Sequence, residues 1–169
     1  ALAGALIRVL DDPALRARLV ASGTERAVEF SMESLADAYL ELYEQVMNEF
    51  PDDGLGTRSL YFRVFRMRDS DDFAGVIAYL DELYPRVREN SLGDDVLKMK
   101  ADVQLEAEDR AGARVTLEQI VRDHPYPQGF RWDDAIAKLA EMDVEDGHPL
   151  VAIARLERML ERYENTTII

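Results

Sequence analysis

Apolar residues in this chain return every three to four positions, and almost nowhere every two. That period predicts helices over residues 2–10, 13–28, 32–49, 58–69, 72–89, 93–107, 110–123, 133–146 and 149–163. Strand signals are nearly absent, because no stretch of Val, Ile and Thr alternates with polar residues. Asp12-Pro13 opens the second helix, with Pro at the first helical position, and Ser31 suits the N-cap of the third. In that third helix Leu35, Tyr39, Leu42, Tyr43, Val46 and Phe50 form an apolar face, expected to dock on the helices beyond residue 57. The weakest joint is PDDGLGT, residues 51–57, which combines Pro, two Gly and two Asp. It divides the chain into an N-terminal helical segment, 1–50, and a second domain, 58–169.

The second domain repeats itself. Residues 97–125 align without gaps on 136–164, an offset of 39, with five identities in 29 positions. Ala101 falls on Ala140, Ala113 on Ala152, and Leu117-Glu118 on Leu156-Glu157. A helical hairpin needs a small residue in each helix where the backbones approach, and a large apolar residue one turn later. The paired alanines meet the first need, and Leu117 and Leu156 the second. A degraded third copy lies at offset 37, where Leu60, Val64, Val76 and Leu80 take the equivalent places.

Small residues twelve apart on two helices, Gly147 at a turn and Pro125 after a second helix resemble the tetratricopeptide repeat over residues 58–164. The aromatics of that family's first helix are missing from the later two copies, and the 37–39 pitch exceeds its 34 residues. The resemblance implies an all-α fold of antiparallel helical hairpins stacked as a short right-handed solenoid. Its concave surface would bind a peptide or a partner protein.

The first residues show a different likeness. Asp12-Pro13, Leu15, Arg16, Leu19, Gly23, Phe30-Ser31, Leu42 and Tyr43 stand in the order found in the C-terminal tail of retaining glycosyltransferases, a likeness that resembles the GT-B fold's closing helices. Met32 departs from the Trp usual in that family. The resemblance covers residues 1–47 and implies a tail without chemistry, the catalytic halves lying upstream. Glu25, Glu33, Glu41 and Glu49 imitate the family's Glu-x7-Glu spacing. Lacking its Gly-containing context, they read as a solvated stripe. The alternative is that residues 1–50 are three amphipathic helices capping the repeats.

Composition narrows the function. With 34 acidic and 20 basic residues the net charge is −14, a field that repels phosphate backbones and anionic lipid, so nucleic-acid binding is not expected. No apolar run approaches the length of a membrane span, so no membrane insertion is expected. The chain starts ALAGALIRVL, without Met and without a charged n-region, which suggests a piece of a longer, cytoplasmic protein. There is no Cys, no Gly-rich phosphate loop and no Ser/His/Asp arrangement. No catalytic residue, metal site or cofactor is therefore expected within these residues.

Four features could carry chemistry or binding. The Asp-Asp doublet recurs at 11–12, 52–53, 71–72, 94–95 and 133–134, four of them just before an apolar-periodic segment, where helix capping is expected rather than metal binding. His124 and His148 occupy nearly equivalent turn positions. Phe130 and Trp132, in HPYPQGFRW (124–132), are expected to fill core between hairpins. TRSLYFRVFRMR (57–68) is the local cationic exception, and by analogy with later hairpins it lines Arg58, Tyr61, Phe65 and Arg68 along the groove. Arginine forks and aromatic faces suit a carboxylate-bearing or aromatic peptide. The same arginines could instead pair with Asp69, Asp71 and Asp72. The expectation is a non-catalytic protein-interaction or assembly module, with a homo-oligomer as one form of assembly and the tail of a glycosyltransferase as the alternative.

Overall fold

The structure, a computed structural model, describes residues 2–68 and 72–166, with side chains described over 7–68 and 72–163. Among the described residues there are nine helices and no strand: α1 (Leu2–Asp11), α2 (Pro13–Glu29), α3 (Met32–Glu49), α4 (Gly54–Arg68), α5 (Phe73–Val87), α6 (Leu92–Glu106), α7 (Arg110–Asp123), α8 (Trp132–Glu145) and α9 (Pro149–Thr166). The all-α class read from the 3.6-residue period holds. Residues 51–53 form a turn, and α4 starts at Gly54, inside the stretch read as a joint.

The chain divides into two compact units inside α3, Ala1–Leu42 and Tyr43–Ile169. In the first, Asp12 caps α2, its carboxylate accepting from the N–H groups of Ala14 and Leu15 at 3.0 Å. Ser31 accepts from the Ser34 N–H at 3.1 Å, as an N-cap should. Yet α2 buries none of its residues, and Leu19, Val20, Val28, Phe30 and Met32 are exposed. Glu25, Glu33, Glu41 and Glu49 are all exposed. In α3 the apolar face read from the sequence is mostly uncovered: Leu35, Tyr39, Leu42 and Phe50 are exposed, and only Tyr43 and Val46 are half-buried. The residue that does enter a core is Met47, fully buried in the second unit.

The second unit is a row of hairpins, α4–α5, α6–α7 and α8–α9, each packed on the next through consecutive helices. Most positions aligned by repetition are its core, but Leu156, expected to match Leu117, is 37% exposed because no further helix covers it among the described residues. Leu60, Val64, Val76 and Leu80 are buried, as are Leu97, Ala101, Ala113 and Leu117, and then Ile136, Ala140 and Ala152. Small residues at 101/113 and 140/152 let the paired helices approach, which explains their near-complete removal from water.

A second periodicity concerns the outer side of each hairpin. Phe73, Ile77, Leu80 and Tyr84 of α5 follow a 4-3-4 spacing and pack with the cluster that includes Val96, Met99 and Val103 of α6. The equivalent positions of α7 are Arg110, Arg114, Leu117 and Val121, and they meet α8. Arg110 donates to the Met142 carbonyl at 2.9 Å and pairs with Glu145 and Asp146, while Arg114 pairs with the buried Asp143. Leu117 and Val121 pack with Ala135, Leu139 and Met142. The last of these seam residues of α7 thus share one cluster with the first helix of the next hairpin, which is how hairpins that cannot fold alone are held.

Turn chemistry repeats as well. Asp72 and Asp109 cap α5 and α7 by accepting from the N–H of Gly75 and Gly112 at 2.8 and 2.9 Å. A Cβ on either glycine would lie 2.1 or 2.0 Å from the other oxygen of the capping carboxylate, so Asp-x-Ala-Gly is a unit repeated at offset 37. At the other end of the hairpin turn, α8 closes on Gly147 at φ +80°, with the His148 N–H reaching the Asp143 carbonyl at 2.8 Å. Thirty-nine residues earlier Glu108 occupies the same left-handed position, φ +61°, and Asp109 reaches Gln104 in the same way. A side chain in that region costs about 1 kcal/mol. Replacing Glu108 by Gly should therefore stabilise the chain by about 1 kcal/mol, or roughly 2–4 °C in Tm by calorimetry. An unchanged or lower Tm would contradict this account of the turn.

Candidate partner-binding surface

Helix α4 buries Gly56, Ser59, Leu60 and Val64, so its opposite side faces solvent. Arg58, Tyr61, Phe65 and Arg68 fall on that side at spacings of three and four. Tyr61 is 49% and Phe65 66% exposed, and Phe62 beside them is 50% exposed and stacks on Tyr43 with ring centres 5.6 Å apart. Arg58 is exposed at the start of this stripe. At the equivalent positions, α6 carries Asp95, Lys98, Asp102 and Leu105, and α8 carries Asp134, Ala137, Glu141 and Val144. The cationic and aromatic character therefore belongs to the first hairpin alone.

The four residues are not equally available. Arg68 is engaged with Glu106 of α6, an ion pair that ties two hairpins together. Asp69 and Asp71, two of the acids named as alternative partners for these arginines, lie outside the described residues. Arg63 is committed as well: its guanidinium sits over the Tyr79 ring at 4.6 Å and 3.4 Å from Glu44. Glu44 also accepts from the Tyr79 hydroxyl at 2.9 Å and pairs with Arg86 at 3.1 Å. Burial and the Glu44 carboxylate together drive the Tyr79 phenol far above its ordinary range. Glu44 is thus the hub that fastens the end of α3 to α4 and α5, a role no local pattern announced.

The doublets behave differently from expectation at two places. Asp12, Asp53 and Asp72 cap their own helices. Asp94 and Asp95 are buried instead, and neither caps α6. Asp94 accepts from the backbone N–H of Arg131, the N-cap residue of α8, at 2.9 Å. Asp95 accepts from the Arg131 guanidinium at 2.6 Å and from the Thr57 hydroxyl at 2.7 Å, linking all three hairpins. Asp52 does for α6 what Asp94 does for α8, accepting from the Ser91 N–H at 2.8 Å. The second exception is Asp133, which accepts from the Asp134 N–H and from the Tyr163 hydroxyl. Capping is correct as chemistry, but part of it crosses to the next hairpin, at separations of 37 and 39 residues.

Near Asp94 a cleft of about 430 Å³ opens between the α5–α6 turn and the loop after α7, lined by Arg88, Asn90, Ser91, His124 and Gln128 among others. Its lining is polar, and no group of three His, Cys, Asp or Glu side chains that could hold a metal occurs among the described residues. The histidines are not equivalent, contrary to the sequence reading. His124 closes α7 on the side of the next hairpin, its Nε2 3.2 Å from the Tyr84 hydroxyl, whereas His148 lies in the turn inside the last hairpin. Trp132 is buried against Tyr126 and Tyr163, but Phe130 is exposed and fills no core. No helix among the described residues is long and apolar enough to cross a membrane.

No protein-family model, curated protein or solved structure matches this chain.

One oxygen of Asp94 has no hydrogen-bond partner. Burial pushes its carboxyl above the ordinary 3.8, partly offset by the N–H of Arg131. A raised pKa favours the folded state below the unfolded pKa, and that contribution is lost as pH rises through the folded value. At neutral pH the residue therefore carries a desolvation cost. Asp94→Asn keeps an acceptor for Arg131 and removes the charge, so it should raise stability at pH 7 by about 1 kcal/mol. The gain should vanish near pH ~3 in denaturant titrations, where the carboxyl is already protonated. A loss at pH 7 would show that the ionised carboxylate is what holds α8.

Proposed function

We propose that this chain is a non-catalytic protein-interaction or assembly module built from tetratricopeptide-like hairpins. The observation that supports this most is the outer stripe of α4, where Arg58, Tyr61 and Phe65 stand together in a chain of net charge −14. Aromatic and arginine side chains held on a rigid helix are the groups that dominate recognition of partners. A guanidinium close to two aromatic faces suits an acidic segment bearing an aromatic residue. Arg68 contributes less to contact, because Glu106 already holds it.

The test uses peptides displayed in random sequence and selected on the 169-residue chain. Selected peptides should share Asp or Glu next to an aromatic residue. Arg58→Glu combined with Phe65→Ala should weaken their binding at least about tenfold by fluorescence anisotropy. Neither position belongs to the buried core, so circular dichroism should be unchanged. A selection without an acidic consensus, or binding indifferent to the two substitutions, would remove α4 as the contact surface.

A second reading takes the chain as the C-terminal portion of a GT-B glycosyltransferase. It is supported by the first unit, where α2 runs for 17 residues without burying one. Helices of this kind gain their stability by packing on a larger body. Reading the gene upstream of Ala1 decides it. Two Rossmann-like halves with a Glu-x7-Glu site in its Gly-containing context are expected, and their absence would end this reading.

A further inference from the structure

In each of the first two hairpins the second helix presents a 4-3-4 seam to the first helix of the next hairpin. Shifting the α7 seam by 39 residues lands on Pro149, Ile153, Leu156 and Leu160 of α9. Here the seam is uncovered: Ile153 is 51%, Leu156 37% and Leu160 56% exposed, where Leu117 and Leu80 are fully buried. The substitutions at the outer positions are also telling. Where α7 carries Arg110 and Arg114, each matched to acids of α8, α9 carries Pro149 and Ile153, which need no charged partner. The interface that builds the stack is thus continued at its last helix in a more apolar form.

We propose that this seam is the self-association surface of the protein, with α9 packing antiparallel on α9 of a second copy about a two-fold axis near Leu156. Spacings of four, three and four are those of a coiled-coil seam, whose knobs enter the holes of a like helix. Charge at this helix is compatible with a second copy. α9 holds Arg155, Arg158 and Arg162 against Glu157, Glu161 and Glu164, so its net charge is 3 − 3 = 0. α8 stands at 1 − 5 = −4, and the whole chain at −14. A neutral helix therefore meets its own copy without the self-repulsion that the whole chain carries. A two-fold contact brings the same patch to itself, sets the helix dipoles antiparallel, and closes without growing into a filament. The seam is separate from the stripe on α4, so either can fail without the other.

Light scattering with rising protein concentration should take the mass from 19.2 kDa toward 2 × 19.2 = 38.4 kDa. Ile153→Glu with Leu160→Glu should weaken the association at least about tenfold while leaving the circular dichroism spectrum intact. Because the chain has no cysteine, a single one reports proximity without background. Leu156→Cys should form a disulfide-linked pair on mild oxidation, and Val115→Cys, exposed on α7 away from its seam, should not. A mass of 19.2 kDa at every concentration up to about 1 mM would overturn the proposal and leave the seam to a different occupant. So would equal linkage at both cysteines, or a pair that survives the two glutamates.

Discussion

The second unit rests on one constraint: a hairpin of two amphipathic helices has more apolar surface than its two helices can hide from each other. Small residues at 101/113 and 140/152 let the helices approach and bury one stripe of each. The other stripe, the 4-3-4 seam of the second helix, must find a neighbour. Phe73, Ile77, Leu80 and Tyr84 find α6, and Arg110, Arg114, Leu117 and Val121 find α8. Hydrophobic burial at about 25 cal/mol per Å² is what makes this obligatory. The ion pairs around Asp143, Asp146 and Glu145 then fix which helix is accepted. The first unit lacks such a solution, as the bare face of α2 shows.

How much of this the sequence disclosed depends on the range of the interactions concerned. Helices were legible because their period is local, and the core was legible because repetition marks the same positions twice. Asp12 and Ser31 were legible as caps since a cap acts within three residues. Asp-x-Ala-Gly at 72–75 and 109–112 was equally local and could have been found by sliding the chain by 37. The crossing contacts were different. Nothing near Asp94 says that its partner is the Arg131 N–H, and nothing near Glu44 says that Arg63, Tyr79 and Arg86 converge on it. Phe130 misled for the opposite reason: its type suggests a core, while its loop turns it outward.

The candidate surface was legible in part. Spacing alone placed Arg58, Tyr61, Phe65 and Arg68 on one side of α4, and the burial of Leu60 and Val64 gives that side to solvent. What spacing could not provide was the set of commitments: Arg68 to Glu106 and Arg63 to Glu44. Those commitments separate residues that hold the stack from residues that remain to meet something else.

The caps that cross hairpins give the array a direction. Asp52, in the turn before α4, supplies an acceptor to the start of α6, and Asp94, in α6, supplies one to the start of α8, so both of these helices begin on a carboxylate donated from earlier in the chain. A chain emerging from the ribosome meets these donors in the right order, each hairpin finding its predecessor already in place. Built in reverse, every new hairpin would start with an open N-terminus. Order of synthesis is in this sense written into the placement of two aspartates.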